Sequence, residues 1–343
     1  MTGVQTCALP ISSGEVVVSP DETQRAGACT APSPLEPLSA PGKTRDGVSV
    51  PLLANVGSVT EAQAAAKAGA EGIGLFRTEI CFLNADVEPD PEQQFIIYRD
   101  ALAQFAGRRV VVRTLDAGSD KPMPFLTFPG EGNPALGVRG YRTAARRPGV
   151  LARQLEAMAR ASRESGAETW VMAPMISTPA EAAEFAGLAR AAGLGTAGVM
   201  VEIPSAALQA EEILSEVDFV SIGTNDLAQY AMATDRQASG LGGLQDPWQP
   251  AVLRLLGMVG RAGRRAGKPV GVCGEAAADP ALAAVLVGLG VTSLSMALRA
   301  LEPVRRALAR VTIEDCRRAA EAALMSSDPA AASTEVSRLL ALR

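Results

Sequence analysis

Residues 198–206 read GVMVEIPSA. Gly198 to Val201 is apolar at every position, as in a strand buried on both faces. Glu202 interrupts the run and Pro204 ends it. A carboxylate at the end of a core strand is costly unless something pairs with it, so Glu202 is expected to meet a partner. The same unit recurs along the chain: a short apolar run, a polar residue at its end, then a segment of helical period. That recurrence decides the fold.

The strand candidates are VPLLANV (50–56), GIGLF (72–76), RVVVRTLD (109–116), TWVMAPM (169–175), GVMVEIP (198–204), DFVSIGT (218–224), PVGVCGE (269–275) and SLSM (293–296). Between them lie TEAQAAAKAG, PEQQFIIYRDALAQFA, PAEAAEFAGLARAAG and DPALAAVLVGLG, among other helical stretches. Several open on Thr, Pro or Asp and close on Gly, the start and stop signals of helices. Eight such units over about 270 residues predict an α/β fold, a (β/α)8 barrel. A doubly wound open sheet is the alternative, but no GxGxxG follows the first strand. Residues 312–343 read as one or two closing helices, broken at SSDP.

The chain has 343 residues, 48% of them hydrophobic and 20% charged, enough for a substantial core. A net charge of −5 without a long basic run argues against nucleic acid as a partner. The five cysteines form no CxxC pair, which fits a reducing, cytoplasmic setting rather than a disulfide framework or zinc site. No apolar run approaches the ~20 residues of a membrane span. The chain contains no histidine, so no imidazole of its own can act as base, nucleophile, ligand or phosphate carrier.

Barrel enzymes place their chemistry at the C-terminal strand ends, and the unusual residues fall there. The second strand runs into Arg77, Thr78 and Glu79, and the third carries Arg113 and Asp116. The fifth ends in Glu202, and the sixth delivers Asn225 and Asp226, with Asp235 and Arg236 further on. The seventh ends in Cys273, Gly274 and Glu275, and the eighth holds Ser295. Arg77 and Arg113, with Arg236 as a third, fit either a dense anion or structural ion pairs. Glu202 and Asp226 close adjacent strands and would repel, so they hold a divalent cation or pair with those arginines. Cys273 reads either as a small buried hydrophobe or as a proton donor at the barrel mouth.

LLANVGS (52–58), AEGIGLFRTE (70–79), VVVRTLDAGSDK (110–121), NPALGVRGYR (133–142), VMVEIPSAAL (199–208), VDFVSIGTNDLAQYAMATDR (217–236), GVCGE (271–275) and LSM (294–296) occur in one order across 48–325. Together they resemble the phosphoenolpyruvate-binding domain of Enzyme I of the bacterial sugar phosphotransferase system. The segment VRTLDAGSDK separates that likeness from pyruvate phosphate dikinase and phosphoenolpyruvate synthase, which share the barrel. The resemblance implies that Arg77, Arg113 and Arg236 hold phosphoenolpyruvate, with Asn225 and, less firmly, Arg139. It implies that Glu202 and Asp226 bind Mg2+ and that Cys273 protonates the enolate to give pyruvate. It also implies a homodimer, and phosphoryl transfer to a histidine on a swivelling domain and onward to a histidine-containing phosphocarrier protein, for sugar uptake.

Read this way, residues 1–13 are a foreign leader, and 14–22, with GEVVVSP, are a remnant of the swivelling domain. Residues 23–47 form a linker, 48–325 the barrel and 326–343 a C-terminal helix, in a chain truncated at its N-terminus and inactive alone. QASGLGGLQDPWQP after Arg236 departs from the family pattern. Other readings are a module that binds phosphoenolpyruvate and dimerises without catalysis, a dikinase- or synthase-type domain, and a metal-dependent lyase or aldolase of pyruvate enolates.

Overall fold

A computed structural model describes residues 38–340 apart from 84, 119–122, 128–129, 236–237 and 239. The leader, the strand remnant and most of the linker expected from the sequence lie outside the described residues.

All eight expected strands form. They are β1 (Leu52–Val56), β2 (Ile73–Arg77), β3 (Arg109–Arg113), β4 (Glu168–Ala173), β5 (Thr196–Val201), β6 (Phe219–Gly223), β7 (Val270–Cys273) and β8 (Ser293–Met296). Each pairs in parallel with the next, and β8 returns to β1 with Leu294 opposite Leu52, closing the barrel. Helices cover its outside, including α1 (Val59–Lys67), α2 (Pro91–Leu102), α3 (Pro148–Ser165) and α4 (Pro179–Ala191). After β5 come α5 (Pro204–Leu208) and α6 (Ala210–Glu216), and after β6 comes α7 (Thr224–Ala231). The remainder are α8 (Pro250–Ala266), α9 (Pro280–Leu289), α10 (Leu298–Leu308), α11 (Ile313–Met325) and α12 (Pro329–Leu340).

The helix boundaries follow their capping chemistry. Thr178 and Glu181 form a reciprocal capping box before Pro179, and Asp279 accepts the N–H groups of Ala281 and Leu282 at the start of α9. Gly166, Gly267 and Gly290 end α3, α8 and α9 in the left-handed conformation. The closing segment forms α11 and α12, with the break at Ser326–Asp328. Residues 38–47 lie against the barrel: Thr44 is buried, and Arg45 N–H donates to Val311 O.

The third strand is shorter than its sequence implied. It ends at Arg113, and the Leu115 N–H is taken by the side-chain Oε1 of Gln154 at 3.0 Å. Thr114 N–H still donates to Met172 O of β4, but Leu115 and Asp116 stay buried outside the ladder, so Asp116 can turn toward two arginines.

The main core lies between the strands and the helices. A smaller apolar plug fills the barrel: Leu75, Val111, Met172, Met200, Phe219 and Cys273. At its lower end Trp170 packs on Phe219 with ring centroids 4.7 Å apart, and the Arg109 guanidinium lies 4.0 Å from the Trp170 ring centroid. Cys273 belongs to the plug and also lines the cavity at the opposite end, where the strands finish.

Candidate active site

That cavity has a volume of about 380 Å³. Its chemically active wall is Arg77, Arg113, Glu202, Asn225, Asp226 and Cys273. These come from the ends of β2, β3, β5, β6 and β7, so closing the barrel brings together residues nearly 200 positions apart.

Arg77 and Arg113 stand opposite each other in the β2–β3 register but have different surroundings. Arg113 is buried and committed through its Nη groups, while its Nε has no hydrogen-bond partner among the described residues. It pairs with Glu79, and its Nη1 lies 3.3 Å from Asp116 Oδ2. Burial works against its charge, but Glu79, Asp116 and Glu202 outweigh that and hold its pKa above the usual range. Arg77 is half-buried, and its Nε has no hydrogen-bond partner among the described residues. Arg113 therefore makes structural ion pairs and Arg77 makes none among the described residues, and both keep an unpartnered Nε and line the cavity.

Glu202 is fully buried. Its Oε1 accepts the Met175 N–H at 2.7 Å, and its Oε2 has no hydrogen-bond partner among the described residues. Met175 takes φ +61° to present that N–H, a left-handed conformation uncommon in non-glycine residues, here placed at a strand end. A Cβ on Gly223 would stand 2.8 Å from Glu202 Oε2, so only glycine leaves that oxygen clear. Burial, then Asp226 and Asp116, push the Glu202 carboxyl up to about 7 against the pull of Arg113 and Arg139.

Asp226 lies in the first turn of α7. Its Oδ1 accepts from Arg139 Nη1 at 2.8 Å. Arg139 does not line the cavity. It is 1% exposed, and its Nε and Nη2 each bond Asp116 at 3.0 Å. Burial opposes its charge, and Asp116 and Asp226 together hold its pKa well above the usual range. The charges thus form one line: Glu79, Arg113, Asp116, Arg139, Asp226.

Asn225 Oδ1 accepts the Glu275 N–H at 3.3 Å, which leaves its Nδ2 as a donor on the cavity wall. Gly274 beside it sits at φ +110°, ψ −168°, and a Cβ there would approach Thr224 Oγ1 to 2.6 Å. Cys273 Sγ lies 3.5 Å from Ile222 O and 3.7 Å from Ser221 Oγ. Burial pushes its thiol up to about 11, with the Ser221 hydroxyl acting in the other direction, so it stays protonated near neutrality. Arg236, the third arginine expected here, lies outside the described residues.

Among the described residues no three acidic or cysteine side chains converge as a closed metal cage. Two carboxylates, one with an unsatisfied buried oxygen, fit a hard cation that takes its other ligands from water and substrate. Asn55 and Arg299 are among the cavity residues that went unread in the sequence. Asn55 was signalled by the polar break in LLANV, and Arg299, exposed in the first turn of α10, by its place three residues past the end of β8.

The family of PEP-utilising enzymes matches this chain over residues 36–313 through its PEP-binding domain. Phosphoenolpyruvate-protein phosphotransferases of Streptomyces coelicolor and Haloferax volcanii are similar to it, at 50% identity over 335 residues and 41% over 344. Each alignment takes in 96% of this chain and 60% of the relative. A multiphosphoryl transfer protein of Rhodobacter capsulatus is 41% identical over 326 residues, 91% of this chain and 39% of that protein. The chain therefore spans about three fifths of the first two relatives' length.

Proposed function

The chain belongs to the PEP-utilising enzymes through their PEP-binding domain, and from that premise we propose that it binds phosphoenolpyruvate at the barrel mouth and serves as the phosphoryl-donating half of an Enzyme I-type phosphotransferase. One observation carries the reading: a single cavity joins an incompletely bonded guanidinium, a pair of carboxylates with one unsatisfied oxygen, and a protonated thiol.

The roles follow from what each group has left to offer. Arg77, with Asn225 Nδ2 and Arg236, takes the phosphate and carboxylate oxygens of the substrate. Arg113, on the same wall, adds positive charge and its free Nε while its Nη groups stay on Glu79 and Asp116. Arg139, the weaker candidate for substrate contact, acts from behind the wall. Glu202 and Asp226 would hold Mg2+, which when bound supplies positive charge to the substrate oxygens as charge shifts in the reaction. The bond between the bridging oxygen and phosphorus breaks, and the phosphoryl group passes to an incoming histidine nitrogen. The electron pair left on oxygen becomes the enolate of pyruvate. C3 of that enolate takes the proton of Cys273, giving pyruvate. The thiolate left behind faces the Ser221 hydroxyl and the Arg113 charge, which favour its formation.

These 343 residues hold no histidine, so the acceptor lies outside them: a swivelling phosphohistidine domain, and through it a phosphocarrier protein in cytoplasmic sugar uptake. The barrel is expected to work as a homodimer. The test supplies a separate phosphohistidine-bearing domain to this chain with phosphoenolpyruvate and Mg2+. The expected result is matched formation of phosphohistidine and pyruvate, slow because no tether raises the effective concentration, and almost no pyruvate from the chain alone. Pyruvate made at an enzyme-like rate without the added domain would overturn the reading.

A further inference from the structure

Arg139 Nη1 occupies a position that a cation on Asp226 would contest. Its guanidinium is held by two anchors of different kinds. The bidentate pair to Asp116, through Nε and Nη2, fixes the plane of the group. Only the remaining Nη1 reaches Asp226 Oδ1, at 2.8 Å. A dication that takes Asp226 Oδ1 therefore has one bond to open, while the side chain stays anchored. The other Nη1 hydrogen already goes to the Tyr230 hydroxyl at 3.3 Å, which itself donates to Ala135 O, so Nη1 keeps one acceptor when it leaves Asp226. Asp116 does not depend on Arg139 alone, since Arg113 Nη1 also faces it.

We propose that Arg139 is a resident counter-cation for Asp226 that competes with the divalent ion, so that the ion binds weakly until an anionic substrate arrives with it. The proposal rests on the assignment of Glu202 and Asp226 as cation ligands. A dication that evicts Nη1 balances, together with Arg113 and Arg139, the carboxylates of Glu79, Asp116, Glu202 and Asp226, and so leaves the Arg77 charge on the cavity wall as an excess. A phosphate in the cavity compensates that excess, so each ligand raises the other's affinity by the same factor. Arg139 is in this account a positioning residue acting through Asp226.

The test uses Mn2+ alone, with free ion followed by its electron paramagnetic resonance signal, and then Mn2+ with phosphoenolpyruvate. Arg139→Met removes the competitor and leaves Asp116 its contact with Arg113. It is expected to bind Mn2+ alone about tenfold tighter than the parent, and phosphoenolpyruvate is expected to enhance that binding less. Tyr230→Phe removes the one acceptor that Nη1 keeps once Asp226 turns away, and is expected to bind Mn2+ about threefold more weakly, the size of one hydrogen bond. If Arg139→Met fails to fold, Tyr230→Phe decides, and unchanged affinity there overturns the proposal. If Arg139→Met folds and binds Mn2+ no tighter, while Glu202→Gln abolishes binding, the ligand assignment stands and the competition does not. Mn2+ affinity that ignores Glu202→Gln in both the parent and Arg139→Met would place the ion elsewhere and end the assignment and the proposal together.

Discussion

Replacing Glu202 by Gln should make the protein more stable and remove its cation site. The buried carboxyl is raised from 4.5 to about 7, chiefly by burial and then by Asp226 and Asp116. A carboxyl raised on folding holds its proton longer in the native state than in the unfolded one. Stability contributed by this residue is therefore greatest below its unfolded value and declines as pH rises toward and through about 7. The shift corresponds to about 3 kcal/mol at most once the group is fully ionised. Gln keeps the Oε1 that accepts from Met175 and places an uncharged amide where the unsatisfied Oε2 now lies. That amide must find an acceptor of its own, which reduces the net gain to about 1–3 kcal/mol at about pH 8, or a few degrees in melting temperature. The assay is urea unfolding of both proteins at about pH 5 and about pH 8, in chelator so that no ion masks the charge. The variant should match the parent at the lower pH and exceed it at the higher. A variant less stable at the higher pH, or one with the parent's pH profile, would show that Glu202 is satisfied and refute the reasoning.

Other substitutions probe the same wall from different sides. Gly223→Ala puts a methyl 2.8 Å from Glu202 Oε2 and 2.9 Å from the Met200 terminal methyl, and should cost about 1–3 kcal/mol in urea unfolding while weakening Mn2+ binding. Arg113→Met leaves the fully buried Glu79 without its guanidinium and should lose about 3–5 kcal/mol in the same assay; a loss under about 1 kcal/mol would mean the ion pair is not structural. Cys273→Ala, mixed with a phosphohistidine-bearing domain, should leave phosphohistidine formation largely intact and slow pyruvate release in a single turnover. Equal slowing of both would remove Cys273 as the C3 acid.

The barrel was legible because each strand is a short apolar run between helix stop and start signals, and buried parallel strands need no more than that. The strand ends were legible too, since a charged residue there interrupts the run, as Glu202 and Arg113 do. What the sequence left open was which charge meets which. Arg77 and Arg113 look alike as letters, yet Asp116 leaves the ladder after Arg113 and captures it together with Arg139. Arg139 read as a minor substrate contact, because nothing local shows that its fork closes on Asp116 and Asp226 across gaps of 23 and 87 residues. Arg299 joins the cavity from the helix turn after SLSM, where Ala297 and Leu298 extend the apolar run past the strand, so no charge marks the strand end itself.

The most direct measurement is calorimetric titration of this chain with phosphoenolpyruvate, in Mg2+ and in chelator, for the parent and for Arg77→Ala. Arg77 has no ion pair among the described residues, so its loss should leave the melting temperature nearly unchanged. The account predicts binding in Mg2+, affinity at least about tenfold weaker in chelator, and binding reduced by about a hundredfold or more in Arg77→Ala. Equal affinity in Mg2+ and chelator, with Arg77→Ala binding as tightly as the parent, would contradict it.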